Sequence, residues 1–428
     1  MEMERITIPQ TGDSYIRMHH PSGLEILVWE MEGFRTTEAL FGTKYGSINT
    51  RFRTLQDQDV CVVPEGIAHF LEHKLFENED CDAFALYAKT GANANAYTSF
   101  DKTCYLFSCA DHYQESLEIL LSFVQAPYFT AESVAKEQGI IGQEIRMCND
   151  NPGWRVFFNI LGALYHNHPV KIDIAGTEES IAQINKDLLY RCYNTFYNLH
   201  NMVLVLAGNV KADEVAAIAD RLLKPCENQA LETFFPEEPD SIVQAEVTEH
   251  LPVGLPLFQI GFKAKPEVGA ARLRAEYAAY IAVNILCDPS SALYQSMMQE
   301  GLINSTFSTE IFCGDGYFSI LIGGESEQPR EVQRRVLMEI KRMQTEGLDR
   351  QMFADMKRAT YGALVRETNN AEAVASNMLN SYLDGVQPFE ALQVLAELSY
   401  EDVQQCLCER FAADKTALSI VESGKEGE

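Results

Sequence analysis

His69-Phe70-Leu71-Glu72-His73 spells H-x-x-E-H. On a helix, positions i and i+4 share a face, so the two imidazoles project together. Two neutral imidazole nitrogens placed in this way fill two corners of a tetrahedral zinc site. Glu72, three residues after His69, stands beside such a metal rather than on it. A carboxylate there can take the proton of a water that the metal acidifies. The same five residues also fit an amphipathic helix whose partly buried histidines pair with a neighbouring Glu, so the rest of the chain has to decide.

A zinc site with two histidines from one helix needs a third protein ligand from elsewhere. Glu144 is the candidate, in Ile140-Ile141-Gly142-Gln143-Glu144-Ile145. An unpaired carboxylate among such apolar residues would be costly. Glu137, two helical turns earlier on the same face, can orient a ligand or the water. A solvated helix with two surface acids is the alternative. His166-Asn167-His168-Pro169 reads as the end of a loop rather than as a second site.

These residues need elements to hold them. The motif helix is predicted over 66–77, with a second short helix over 82–89 stopped at Thr90-Gly91. Ahead of it, 14–64 is β-rich, with runs at 24–29 and 39–47 broken by glycine. After it, strands are predicted at 92–100 and 102–108, joined at Ser99-Phe100-Asp101. The first is rich in Asn and Ala. Small side chains suit an edge that another backbone approaches, and a loop with Asn-stabilised turns is the alternative. Leu117, Leu120, Leu121 and Val124 keep helical spacing over 113–125, which Pro127 ends. Thr130 caps a helix over 131–147 that carries Glu137 and Glu144. Residues 171–199 are mostly helical, 202–208 is a continuous apolar run read as a buried strand, and 211–223 is helical.

Length and composition bound the rest. A chain of 428 residues exceeds one ordinary core. The Pro- and Glu-rich stretch after Leu223 reads as a linker, 225–244, between domains 1–224 and 245–428. No run of about 18 apolar residues occurs, so no membrane span is expected. The opening Met1-Glu2-Met3-Glu4-Arg5-Ile6 lacks the basic-then-apolar pattern of a signal peptide. A net charge of −28 opposes nucleic acid and anionic membranes as partners. It permits basic peptides, though solubility alone explains it equally well. The 11 cysteines, with no C-x-x-C, read as small buried hydrophobes in a reducing compartment, so the cytoplasm is expected.

The order of elements recurs after the linker. A helix over 275–286 stands in the place of the motif helix, and another over 291–300 ends at Gly301. Strands at 304–309 and 316–322 repeat the pair after Gly91, and helices at 332–343 and 349–368 follow. A fixed order repeated at a spacing of about 210–220 residues implies a duplicated domain. The second copy is chemically empty. No His lies in 280–286, and near Ala363, the counterpart of Glu144 by offset, there is no carboxylate. A purely structural role for the H-x-x-E-H predicts no such division of labour.

Together these residues resemble the pitrilysin family of zinc peptidases, in its short processing-peptidase branch. The match is His69-x-x-Glu72-His73, then Glu137 and Glu144 about 70 residues on, with Asn95-Ala96-Tyr97-Thr98, Thr103 and Tyr105 between. The resemblance implies an α+β fold of two homologous processing-peptidase-type domains, each an antiparallel sheet covered by helices, around a closed chamber. It implies that His69, His73 and Glu144 bind one Zn2+ per chain, that Glu72 is the general base and that Glu137 is an auxiliary acid. Asn95, Ala96 and Tyr97 would bind a peptide substrate by β-addition. The family usually carries an Arg and a Tyr, seven apart, around a G-L segment. Here that segment is Gly301-Leu302, and Met297 and Asn304 stand at those positions. The resemblance therefore implies a metalloendopeptidase for peptides or unfolded segments that forms the zinc-bearing chain of a heterodimer. A homologous partner without metal would supply the Arg and Tyr. A lone chain or homodimer, and a non-catalytic maturation or assembly subunit that binds peptides, are the competing expectations.

Overall fold

Apolar and alternating runs near the N-terminus become strands, and the chain then alternates between the two kinds of element. The computed structural model describes residues 2–79 and 82–424. From the N-terminus come β1 (Glu2–Thr7), β2 (Ser14–His19), β3 (Glu25–Glu30), β4 (Thr37–Thr43), β5 (Arg51–Arg53) and β6 (Cys61–Val62). Then follow α1 (Ile67–Leu75), α2 (Ala83–Thr90), β7 (Asn93–Thr98), β8 (Thr103–Cys109), α3 (Tyr113–Val124), α4 (Ala131–Asn149) and α5 (Pro152–Leu164). Next are α6 (Glu178–Ile181), α7 (Lys186–Phe196), β9 (Met202–Gly208), α8 (Ala212–Leu222), β10 (Glu232–Thr233), β11 (Glu246–His250) and β12 (Leu257–Lys263). The remainder is α9 (Gly269–Cys287), α10 (Ala292–Gln299), β13 (Ser308–Gly314), β14 (Tyr317–Glu325), α11 (Pro329–Glu346), α12 (Arg350–Glu367), α13 (Ala371–Leu383), α14 (Glu390–Glu397), α15 (Tyr400–Arg410) and β15 (Thr416–Glu422).

The chain forms two compact units, each assembled from three segments. One contains Met1–Ile145, Asp173–Phe234 and Leu364–Glu390; the other contains Arg146–Ile172, Phe235–Ala363 and Ala391–Glu428. The first holds a sheet of order β1-β2-β3-β9-β4-β8-β7, antiparallel except for the parallel pair β3 and β9. Every residue of β9 is buried, which its unbroken apolar sequence requires. The second holds a sheet of order β11-β15-β12-β14-β13, where β11 and β15 are the parallel pair. Five strands thus recur in the same order with the same single parallel step, as a duplicated domain requires.

Each sheet is covered by a helix drawn from the other half of the sequence. In the first unit α13 packs on β4 and β9; in the second, α5 packs on β12 and β15. A glycine at the equivalent point of each strand makes room. A Cβ on Gly42 would lie 2.6 Å from Leu379, and one on Gly261 would lie 2.7 Å from Ile160. The predicted strand at 304–309 forms later, as β13. Asn304 Oδ1 accepts from the backbone N–H and the hydroxyl of Thr306, so those residues turn instead. Within the stretch read as a linker, Glu232–Thr233 pairs with β5 as strand β10. No helix among the described residues is long and apolar enough to cross a membrane.

Candidate active site

The motif helix α1 starts where only glycine fits. Gly66 has a φ of 84°, and a Cβ there would sit 2.3 Å from the Ala175 carbonyl oxygen. Ile67, Ala68, Phe70, Leu71 and Leu75 anchor the helix in the core. That packing turns His69, Glu72 and His73 toward α4 and β7. Helix α4 is fixed in turn by its Thr130 cap, whose Oγ1 accepts from Ser133 N–H, and by Gln138, which donates to the carbonyls of Ile181 and Ile184.

Two turns of α4 then face the motif. Glu144 Oε1 lies 3.6 Å from His69 Nε2, and its Oε2 lies 3.8 Å from His73 Nε2. Both gaps exceed a hydrogen bond. All three donor atoms nonetheless fall within 4.8 Å of one another. Ligands at about 2.0–2.2 Å from a tetrahedral zinc are themselves roughly 3.4 Å apart, so the donor set is close to what such an ion needs.

Protonation follows from the neighbours. Glu137, 9 % exposed, is pushed up by burial, yet its bond to His73 and nearby cations hold it below the usual carboxylate range. An ionised Glu137 accepts from His73 Nδ1–H at 3.0 Å. That bond places a proton on Nδ1 and turns Nε2 toward Glu144. Burial pushes His73 down, but the Glu137 bond and the surrounding carboxylates outweigh it and leave it raised. His69 has no such help: burial, with His73 beside it, lowers it to about 3. Its Nδ1 is buried with no hydrogen-bond partner among the described residues.

Glu72 is 8 % exposed, and burial raises its pKa against the opposing bond from Thr98. Thr98 Oγ1 donates to Glu72 Oε2 at 2.7 Å. Thr98 closes β7, the edge strand of its sheet. Ala96 shares the Glu72 face with Thr98, while Asn95 and Tyr97 point the other way. The outward N–H of Ala96 is met by Asn95 Oδ1 at 2.9 Å. Asn95 and Ala96 border a cavity of about 440 Å³ together with Glu72 and His73; Tyr97 does not line it.

The structure therefore brings His69, Glu72, His73, Glu137 and Glu144 together, with the Asn95–Ala96 edge beside them. Thr98 carries no functional signal in the sequence, because a threonine in a strand reads as β-propensity alone. Lys74 is fully buried one residue beyond the motif and ion-paired with Glu77. A lysine inside an apolar helix face was the available signal. His168 is buried and serves structure: its Nδ1 accepts from Val170 N–H, and its Nε2–H donates to the Asp315 carbonyl.

The chain resembles known proteins over most of its length. Residues 63–178 match the family described as "Insulinase (Peptidase family M16)", and residues 183–360 match "Peptidase M16 inactive domain". An uncharacterised zinc protease of Bacillus subtilis, YmfH, is 38 % identical over 94 % of this chain and 94 % of its own length. A crystal structure from Alicyclobacillus acidocaldarius, described as an M16-like peptidase, superposes with a TM-score of 0.93 at 34 % identity, covering 99 % of both chains. The mitochondrial-processing peptidase subunit beta of Caenorhabditis elegans is 32 % identical over 36 % of this chain and 35 % of that protein. The chain belongs to the M16 peptidase family, which includes the insulinase- and pitrilysin-like enzymes.

Proposed function

We propose that this chain is a zinc-dependent endopeptidase for extended peptides or unfolded segments, and the metal-bearing chain of a two-chain enzyme. One observation carries the reading: two imidazoles and the Glu144 carboxylate converge beside a buried Glu72, next to the edge strand β7. Relatives named as zinc proteases support the choice of metal. One Zn2+ held by His69, His73 and Glu144 would polarise a scissile carbonyl and acidify the attacking water. Glu72 takes the water proton and later returns it to the leaving amine. Its raised pKa suits that second task. Thr98 holds the Glu72 carboxylate in line, and Glu137 keeps His73 in the tautomer that binds metal. The edge of β7 at Asn95 and Ala96 pairs with substrate backbone, which favours extended chains over folded ones. Half of the ten described cysteines are buried, as small hydrophobes in a reducing compartment are, and the cytoplasm is the proposed location.

A partner enters because of Met297 and Asn304. Met297 is fully buried, and Asn304 donates to Glu325 Oε2 at 2.8 Å, so neither is free to hold a peptide. A homologous partner without metal would supply the Arg and Tyr that belong there. The same observation favours the second reading, a maturation or assembly subunit that binds peptides without cutting them alone. A metal count on purified protein, with cleavage of a mixed peptide library, separates the readings. One zinc per chain and turnover lost in Glu72→Gln with zinc retained is the expected result. One zinc and no cleavage, cured by adding a homologous chain, supports the two-chain enzyme. No zinc under metal-replete conditions overturns the proposal.

A further inference from the structure

Strands β10, β5 and β6 form a small sheet with β6 at its edge, and Cys61 on β6 stands opposite Phe52 of β5. Opposed residues of an antiparallel pair share a face, so the half-buried Cys61 lies beside the Phe52 ring. That ring is buried and meets Phe196 of α7 edge-on, with centroids 4.8 Å apart. Cys192 is one helical turn before Phe196 on the same buried face of α7. The two thiols are therefore neighbours. Burial pushes Cys192 up to about 12, against the pull of the Tyr45 hydroxyl and with Cys61 adding to the rise. Two donors face the pair. Arg191 is ion-paired with Asp57 and also reaches Cys61. Tyr45 stacks on Phe196 with centroids 3.8 Å apart, and its hydroxyl, buried next to Cys192, has no hydrogen-bond partner among the described residues. A buried hydroxyl left unpaired is costly and marks a place for an oxygen.

We propose that Cys61 and Cys192 are a peroxide-oxidised pair, in which Cys61 becomes a sulfenic acid and Cys192 resolves it to a disulfide. Cys61 reacts first because it is the more exposed member and sits on an edge strand, whereas burial keeps the Cys192 thiol protonated. The Cys61 sulfur attacks one oxygen of hydrogen peroxide. An S–O bond forms, the O–O bond breaks, the sulfur loses two electrons, and the other oxygen leaves as water with the thiol proton. Arg191 and the Tyr45 hydroxyl are the donors for the new oxygen. The Cys192 sulfur then attacks that of Cys61. The S–S bond forms, the S–O bond breaks, and the oxygen departs as water with the Cys192 proton. A dithiol reverses the step, as suits a transient bond in a reducing compartment. The bond ties β6 to α7, and α7 packs on the motif helix α1.

Oxidation of the full chain tests this without turnover or a partner, so it stands apart from the peptidase reading. Protein freed of reductant is treated with rising amounts of hydrogen peroxide, alkylated in denaturant and digested, and peptide masses report the state of each cysteine. The first product expected is a cross-linked pair of peptides holding Cys61 and Cys192, two hydrogens lighter than its parts and separated again by dithiothreitol. In Cys192→Ala no cross-link is possible, so Cys61 should take up dimedone, a reagent for sulfenic acids, at about tenfold the level of any other cysteine. Prior oxidation of another cysteine overturns the inference. So does Cys61 carried to the sulfinic acid while Cys192 is still alkylated, or no cross-link at a large excess of peroxide.

Discussion

At the scale of single residues, His73 is poised between two demands. As a metal ligand it must be neutral, yet in the metal-free protein the Glu137 bond and nearby carboxylates raise its pKa. Zinc must therefore displace a proton from His73 near neutral pH, while His69, lowered to about 3, has none to give. Affinity for zinc should rise with pH through the His73 value and level off above it. Calorimetric titration of metal-free protein at pH 6.5, in buffers of different ionisation enthalpy, should report more than half a proton released per zinc, because His73 lies above its ordinary value. Glu137→Gln still accepts from Nδ1–H but withdraws the charge, so His73 falls back under the influence of burial. Proton release should drop toward zero and zinc affinity by about 10–100-fold. Unchanged proton release would mean that Glu137 does not set the state of His73.

Among elements, the contact of β4 with α13 carries a charge conflict. Glu38 on β4 is raised to about 7, first by burial and then by Glu372 in the first turn of α13. A carboxyl raised in the fold favours its neutral form. Its contribution to stability is whole below the ordinary carboxylate range and is lost as pH rises through about 7. Glu38→Gln should leave urea stability little changed near pH 5 and raise it by about 1–2 kcal/mol at pH 8, the figure allowing for partial solvation. Equal effects at both pH values would remove this account. Most elements near the site were legible because their signals are local: Thr130 and Pro127 bound helices, Gly91 stops one, and His69 and His73 share a face at any helix register. What stayed hidden was of longer range. The late start of β13 depends on one Asn304 side chain folding back on Thr306. The exchange of α5 and α13 leaves no trace in periodicity, since an amphipathic helix shows which of its faces is buried but not which sheet buries it. Thr98 was hidden for the same reason, because only the folded chain brings Glu72 near it, whereas Lys74 and Glu77, three residues apart, pair locally.

For the whole molecule, that exchange decides what the second half of the chain contributes. The half without metal ligands supplies α13, and α13 covers β4 and β9 in the sheet whose edge lies beside Glu72. Leu40, Val203, Val205 and Ala207 are buried on that face, opposite the core, beneath Val374, Met378 and Leu379. Leaving them bare would forfeit on the order of 5–10 kcal/mol, comparable to the whole stability of a domain. A fragment of residues 1–234 keeps every candidate catalytic residue and loses this cover. It also leaves Ile160, Leu161 and Leu164 of α5 without the sheet they pack on. It should therefore bind a dye that reports exposed apolar surface, unfold without a cooperative transition and hold zinc poorly. Residues 235–428 should behave likewise without α5. Expressed together, the two fragments should recover a soluble complex with cooperative unfolding, because each returns the helix the other lacks. A cooperative, zinc-binding monomer from 1–234 alone would show that α13 is dispensable. Failure of that fragment, cured by the other, would make the empty half a structural requirement of the metal-bearing one.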